Sequence, residues 1–211
     1  MRALWYLDLE TAPRLDIQKI VPAGKAAANI KDPAKILAAI AENRQKKIDL
    51  AAVNVNFGRI VVLGHGTGTD GVWHVPIFHT EDEERVGLEE FWDDWAAAGS
   101  PVFCGFFASQ FDVPMLVRRS QLLGVVPGVL ELGRYRHPSV LDLAQVLTFD
   151  WMLDAEKLST YARVFGLPHD DETTGSEMPG LIAAGEYNQV AEHCRCDLEL
   201  THRLAHVLGV A

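Results

Sequence analysis

The first stretch of the chain, LWYLDLET (4–11), is an apolar run in which Asp8 and Glu10 stand at alternate positions. The run predicts a buried strand, and residues two apart on a strand share a face. RIVVLGHG (59–66) and GVWHVPIFH (71–79) read as two further strands, joined as a hairpin by the glycine-rich turn TGTDG. EEFWDDWAAAG (89–99) has a helical period, with Phe91 and Trp95 facing inward, acids outward and Gly99 as its end. PVFCGFF (101–107) is a short apolar run that fits a buried strand. FDVPMLVRRSQLLG (111–124), EKLSTYARVFGLP (156–168) and NQVAEHCRCDLELTHRLAHVLG (188–209) read as helices. This order predicts an α/β fold, a mixed β-sheet flanked by helices. With no repeat, low-complexity tract or linker, the expectation is a single domain over 1–211.

Composition adds bounds to that picture. A chain of 211 residues with 48% apolar residues can bury a full core. It has no N-terminal apolar run of signal-peptide length and no stretch of 18 apolar residues, so a soluble, cytoplasmic protein with no membrane partner is expected. Cys104, Cys194 and Cys196 are too few and too unevenly spaced for a disulfide framework, which agrees with a reducing compartment.

The net charge of −10 argues at first against a nucleic-acid partner. Its distribution changes that. Arg14 to Arg59 holds nine basic residues against four acidic ones, so this tract, predicted to be a helical insertion at about 14–59, is net positive. A second basic group comprises Arg118, Arg119, Arg134 and Arg136 around Tyr135. The first group taken alone could equally be a solvated helix face.

The two acids of the first strand lie roughly 7 Å apart along it on one face. Carboxylates held that close raise each other's pKa unless a cation neutralises them, and hard divalent ions such as Mg²⁺ or Mn²⁺ prefer such oxygen ligands. A strand end with its acids in water has the same pattern. Asp112 opens a helix just after the 101–107 strand, at the mouth of the sheet. Asp197 falls on the apolar stripe of the last helix with Leu204 and Leu208, opposite Arg195, Glu199, His202 and His206. An acid on an apolar stripe is costly unless something binds it. His193 lies one turn earlier on the same side.

These residues resemble the motifs of the DEDD superfamily of 3′-5′ exonucleases, which have a ribonuclease H-like fold. Asp8-Leu9-Glu10 is similar to the first motif, Phe111-Asp112 to the second and His193 through Asp197 to the third. KAAANIKDPAKI (25–36), FGRIVVLG (57–64), FDVPMLVRRS (111–120), VLDL (140–143) and KLSTYARVFGLP (157–168) look like bacterial and phage DNA-polymerase-B-like 3′-5′ exonucleases. The resemblance runs over nearly the whole chain. It implies a two-metal phosphodiesterase in which Asp8, Glu10, Asp112 and Asp197 hold two Mg²⁺ or Mn²⁺ ions and His193 is the general base. The implied substrate is nucleic acid, single-stranded DNA trimmed from its 3′ end. An exoribonuclease, or a catalytically weak nucleic-acid-binding module of the same fold, is the alternative. The two basic groups are the expected contacts for the strand.

Two positions depart from the family pattern. The histidine subclass places His five residues before the last Asp and the tyrosine subclass places Tyr four before it; here His193 stands at the tyrosine spacing. Phe107 occupies the place where an Asn commonly precedes the Phe-Asp pair. Asp142 resembles a recurring acid of the family and is expected to be accessory or structural, since it can cap a helix. Cys194 and Cys196 point about 200° apart on a helix, which disfavours zinc. His202 and His206 read as a solvated pair, GHGTGTDG as a hairpin turn, and Trp92 and Trp95 as core.

Overall fold

The structure is a computed structural model, and it describes residues 3–131, 133, 138–169 and 173–211. Its sheet has four strands: β1 (Leu4–Pro13), β2 (Gly58–Gly66), β3 (Val102–Gly105) and β4 (Val140–Asp142). They lie in the order β2-β1-β3-β4, with β2 antiparallel to β1, and β1, β3 and β4 mutually parallel. The expected mixed sheet flanked by helices is therefore present. β1 is an inner strand paired on both sides, which explains its near-continuous apolar character.

Helices α3 (Glu81–Ala97) and α4 (Asp112–Leu122) cover one face. There Trp5, Leu7 and Leu9 of β1 pack with Phe91, Trp92, Trp95, Phe103 and Leu116. Trp92 and Trp95 are core residues, as expected, each with its indole N–H bonded, to Ser120 Oγ at 2.9 Å and the Pro101 carbonyl at 3.0 Å. The other face carries α8 (Tyr187–Val207), with α6 (Leu158–Val164) and α7 (Met178–Ala184) against it. Tyr6 meets Leu198 and Leu204 of α8 there. Side chains 6, 8 and 10 of β1 thus point towards α8, whereas 5, 7 and 9 point towards α3 and α4. The short helix α5 (Leu143–Leu147) leaves β4 directly.

Three expectations are corrected. GVWHVPIFH does not form a strand; its backbone pairs with β2 through isolated bridges, Val62 with Ile77 and His65 with His74. Pro76 has no N–H to give, so the ladder cannot continue along this edge. His202 is only partly solvated: its ring packs edge-on to Tyr6 at 5.0 Å and to Trp73 at 5.9 Å, while His206 stays exposed and 3.1 Å from His202 between Nε2 atoms.

The third correction concerns the basic groups. Arg119 is fully buried, clamped by Glu84 through two 2.7 Å hydrogen bonds and by Glu81 at 3.1 Å. Glu84 also accepts from the Ile60 amide at 2.9 Å, so this pair ties α3, α4 and β2 together and cannot reach a strand in solvent. Arg59 is buried too, donating to the Phe78 carbonyl. Arg134, Tyr135 and Arg136 lie outside the described residues. In the first basic tract, α1 (Ile17–Ile20) and α2 (Pro33–Asp49) form, the latter capped by Asp32 with Pro33 at its first position. No residue of α2 is buried.

Candidate active site

The parallel strands β1, β3 and β4 all point their carboxyl ends to one side, the usual place for a site in such a sheet. Pairing between β1 and β3 covers only Leu4 to Tyr6, so β1 runs on past its neighbour. Along that open edge the Leu9 N–H is taken by Asp112 Oδ1 at 3.1 Å. Asp112, the first residue of α4, is buried and is thereby fixed between Asp8 and Glu10. A carboxylate at a helix N-terminus is also favoured by the helix dipole.

α8 brings the remaining candidates. His193 and Asp197 are one turn apart, and alternate with Cys194 and Leu198, which are buried against the sheet. The approach depends on Gly64, the β2 partner of Asp8. A Cβ there would stand 2.5 Å from Cys194 Sγ and 2.7 Å from Leu198 Cδ1. Glycine inside a strand often marks such a close approach. In the sequence Gly64 is hidden among the glycines of GHGTGTDG, which read as a turn. Cys194 Sγ donates to the Asp8 carbonyl at 3.6 Å, and Cys196 faces away, 3.8 Å from Glu192. His193 Nε2 lies 3.7 Å from Glu10 Oε1 and 3.8 Å from Asp197 Oδ2.

The electrostatics follow from this crowding. Burial first, and then the charges of Asp197 and Asp112, push the Asp8 carboxyl well above the usual carboxylate range. Burial, with the charges of Asp142 and Asp197 added, raises Asp112 to about 7, although hydrogen bonds from its own amide and Leu9 N–H pull the other way. Asp8 Oδ2 is buried with no hydrogen-bond partner among the described residues. A buried, unpaired carboxylate oxygen is unusual and calls for a proton or a cation. The four acids and His193 are brought to one end of the sheet. Among the described residues, however, no three His, Cys, Asp or Glu side chains form a ready coordination cage.

Asp142 is structural. Its Oδ1 caps α5 at Ala144 N (3.0 Å) and also accepts from Phe107 N (3.0 Å). Its Oδ2 accepts from the Ser109 amide at 3.0 Å and hydroxyl at 2.6 Å. One carboxylate thus shapes the whole loop between β3 and Asp112.

On the outer side of α8, Arg195 is held by Glu192 and Glu199. That lattice, with Arg203 on Glu199 at 3.2 Å, keeps the helix's exposed face internally paired.

Among solved structures, the family B DNA polymerase from the hyperthermophilic archaeon Pyrobaculum calidifontis is similar to this chain, with a TM-score of 0.63 and 18% identity. The likeness covers 99% of this chain and 24% of the polymerase, and it bears out the ribonuclease H-like fold. No protein with a curated description matches the chain. Residues 51–204, which include Asp112, His193 and Asp197, match the family described as predicted 3′-5′ exonucleases related to the exonuclease domain of PolB, and the chain belongs to that family.

Proposed function

We propose that this protein is a metal-dependent 3′-5′ exonuclease acting on single-stranded DNA ends, with Asp8, Glu10, Asp112 and Asp197 as the ligands of two Mg²⁺ or Mn²⁺ ions. The observation that carries the reading is the buried Asp8 oxygen with no hydrogen-bond partner among the described residues, set where Asp197 and Asp112 add their charge to its own. An all-oxygen donor set of this kind suits hard divalent cations. When bound, two such ions would activate the attacking water and stabilise the leaving oxygen.

The chain's own residues supply the rest. Asp112, anchored through the Leu9 N–H, keeps the acids on β1 and α4 in fixed register. His193 presents Nε2 between Glu10 and Asp197, where it can take the proton of the attacking water. The hydroxide then adds to phosphorus, the bond to the 3′ oxygen of the preceding nucleotide breaks, that oxygen takes a proton from solvent to become a 3′-hydroxyl, and a nucleoside 5′-monophosphate leaves. The tyrosine spacing of His193 fits this role, because the nitrogen reaches the acids from that turn of α8. The exposed lysines of the 14–59 tract are the candidate strand contacts, and the chain is read as one exonuclease unit over 1–211 working in the cytoplasm.

A 5′-labelled single-stranded oligonucleotide incubated with Mn²⁺ tests the proposal. Products shortening from the 3′ end are expected, abolished by Asp8→Ala and Asp112→Ala and slowed by roughly 10²-fold or more by His193→Ala. A catalytically weak binding module is the second reading, favoured by Phe107 at the usual Asn position. It would retard the oligonucleotide and leave it intact. Wild-type rates from Asp112→Ala would remove the metal site altogether, and a strong preference for an RNA ladder would move the substrate to RNA.

A further inference from the structure

Five non-glycine residues among those described have a left-handed φ, and four of them sit together beside the candidate site. They are Phe107 (57°), Phe149 (53°), Asp150 (60°) and Trp151 (64°). L side chains adopt this backbone only where the surroundings enforce it, and such strain gathers at functional positions. Here the enforcing bonds are visible. Asp142 holds the Phe107 amide at 3.0 Å, and the buried Thr148 holds the Trp151 amide at 3.2 Å through its hydroxyl and the Met152 amide at 2.9 Å through its carbonyl. Gln145 grips Asp150 at both its amide (2.9 Å) and its carboxylate (2.8 Å).

The result is a stacked pair: the rings of Phe107 and Trp151 lie 5.8 Å apart and 18° from parallel. Core packing does not account for it. Trp151 stays 37% exposed, and Phe149, Met152 and Leu153 around it are exposed as well, whereas Trp92 and Trp95 show how this fold buries an indole. Phe107 belongs to the loop that enters α4 at Asp112, so one ring of the pair is carried by the same segment as a candidate metal ligand. The segment 149–157 contains Asp150, Asp154 and Glu156 with Lys157 as its one basic residue. Such a surface repels phosphate and leaves the uncharged face of a base as what it can hold.

Resting on the exonuclease reading above, we propose that Phe107 and Trp151 form a stacking platform for an unpaired nucleobase at the 3′ end of the strand. It would be held by its π-face without regard to sequence. In this chain an aromatic contact then stands where the family pattern has a polar Asn, and Trp151 is a positioning residue.

Anisotropy of 5′-fluorescein oligonucleotides, with Ca²⁺ replacing Mg²⁺, tests this. One oligonucleotide carries normal 3′ nucleotides and its twin has the last three abasic. Wild-type protein is expected to bind the normal end roughly tenfold tighter, Trp151→Ala to lose that preference, and Trp151→Phe to keep most of it. Equal wild-type affinity for the two ends overturns the proposal even if Trp151→Ala fails to fold. So does an unchanged preference in a folded Trp151→Ala protein. If the wild type shortens the normal strand in Mn²⁺ without preferring base-bearing ends, stacking alone falls; if it neither binds nor shortens the strand, the exonuclease reading falls with it. A dimer dispersed by Trp151→Ala in sedimentation, with the base preference intact, would make the patch a self-interface and overturn the platform.

Discussion

Asp112 shows most sharply how one side chain can serve two purposes that conflict. Its carboxylate is needed by the Leu9 amide as an acceptor, yet burial and the nearby Asp142 and Asp197 raise its pKa from 3.8 to about 7. Because the folded pKa lies above the unfolded one, the folded state binds the extra proton. The stability this lends is full below about pH 4 and is lost as pH rises towards 7. In chelator, the wild type is expected to lose on the order of 1 to 4 kcal/mol over that window through this group. Asp112→Asn keeps the acceptor oxygen and cannot ionise, so its thermal midpoint should fall less over the same pH range while its nuclease activity is absent. Parallel pH profiles for the two proteins would refute the assignment of the strain to Asp112. At the same scale, His193→Ala should lower the rate, since its Nε2 lies 3.7 Å from Glu10 and 3.8 Å from Asp197.

At the level of elements, the site is a meeting of β1 with the start of α4 and one face of α8, and Gly64 sets how near α8 can come. Gly64→Ala places a methyl 2.5 Å from Cys194 Sγ. Overpacking of this kind costs about 1 to 3 kcal/mol. The variant should retain its circular dichroism and lose nuclease activity, because α8 carries His193 and Asp197 away from Asp8; full activity would show that the close approach is not needed. The strands β1 to β3 were legible as short apolar runs, since the sheet is covered on both faces, and helices α3, α4, α6 and α8 from their period. The hairpin arm at 71–79 was not, because Pro76 removes the donor that the alternating pattern implies. The burial of Arg119 was equally hidden: its partners Glu81 and Glu84 are 38 and 35 residues away, and only the packed helices bring them together. Local spacing likewise cannot show that Asp142 secures the loop before Asp112, or that Phe107 and Trp151 stack.

Across the whole molecule, a chain of net charge −10 spreads its positive charge unevenly. Lys31, Lys35 and Lys47 are exposed on the 14–59 tract, whereas Arg59 and Arg119 are spent inside the fold. If the tract guides the strand, replacing those three lysines by alanine should weaken single-strand binding and reduce the slope of log affinity against log salt by about 2. An unchanged slope would assign the tract another role. Among the described residues no helix is long and apolar enough to cross a membrane. What organises everything else is the gathering of Asp8, Glu10, Asp112 and Asp197 at one end of the sheet, which makes sense if divalent cations relieve their repulsion. A Mn²⁺ titration followed by the paramagnetic resonance of the free ion tests this most directly. Saturable uptake, rising to two ions per chain and lost in Asp112→Ala, is the expected result; a wild-type protein that leaves manganese as free as buffer does would contradict it.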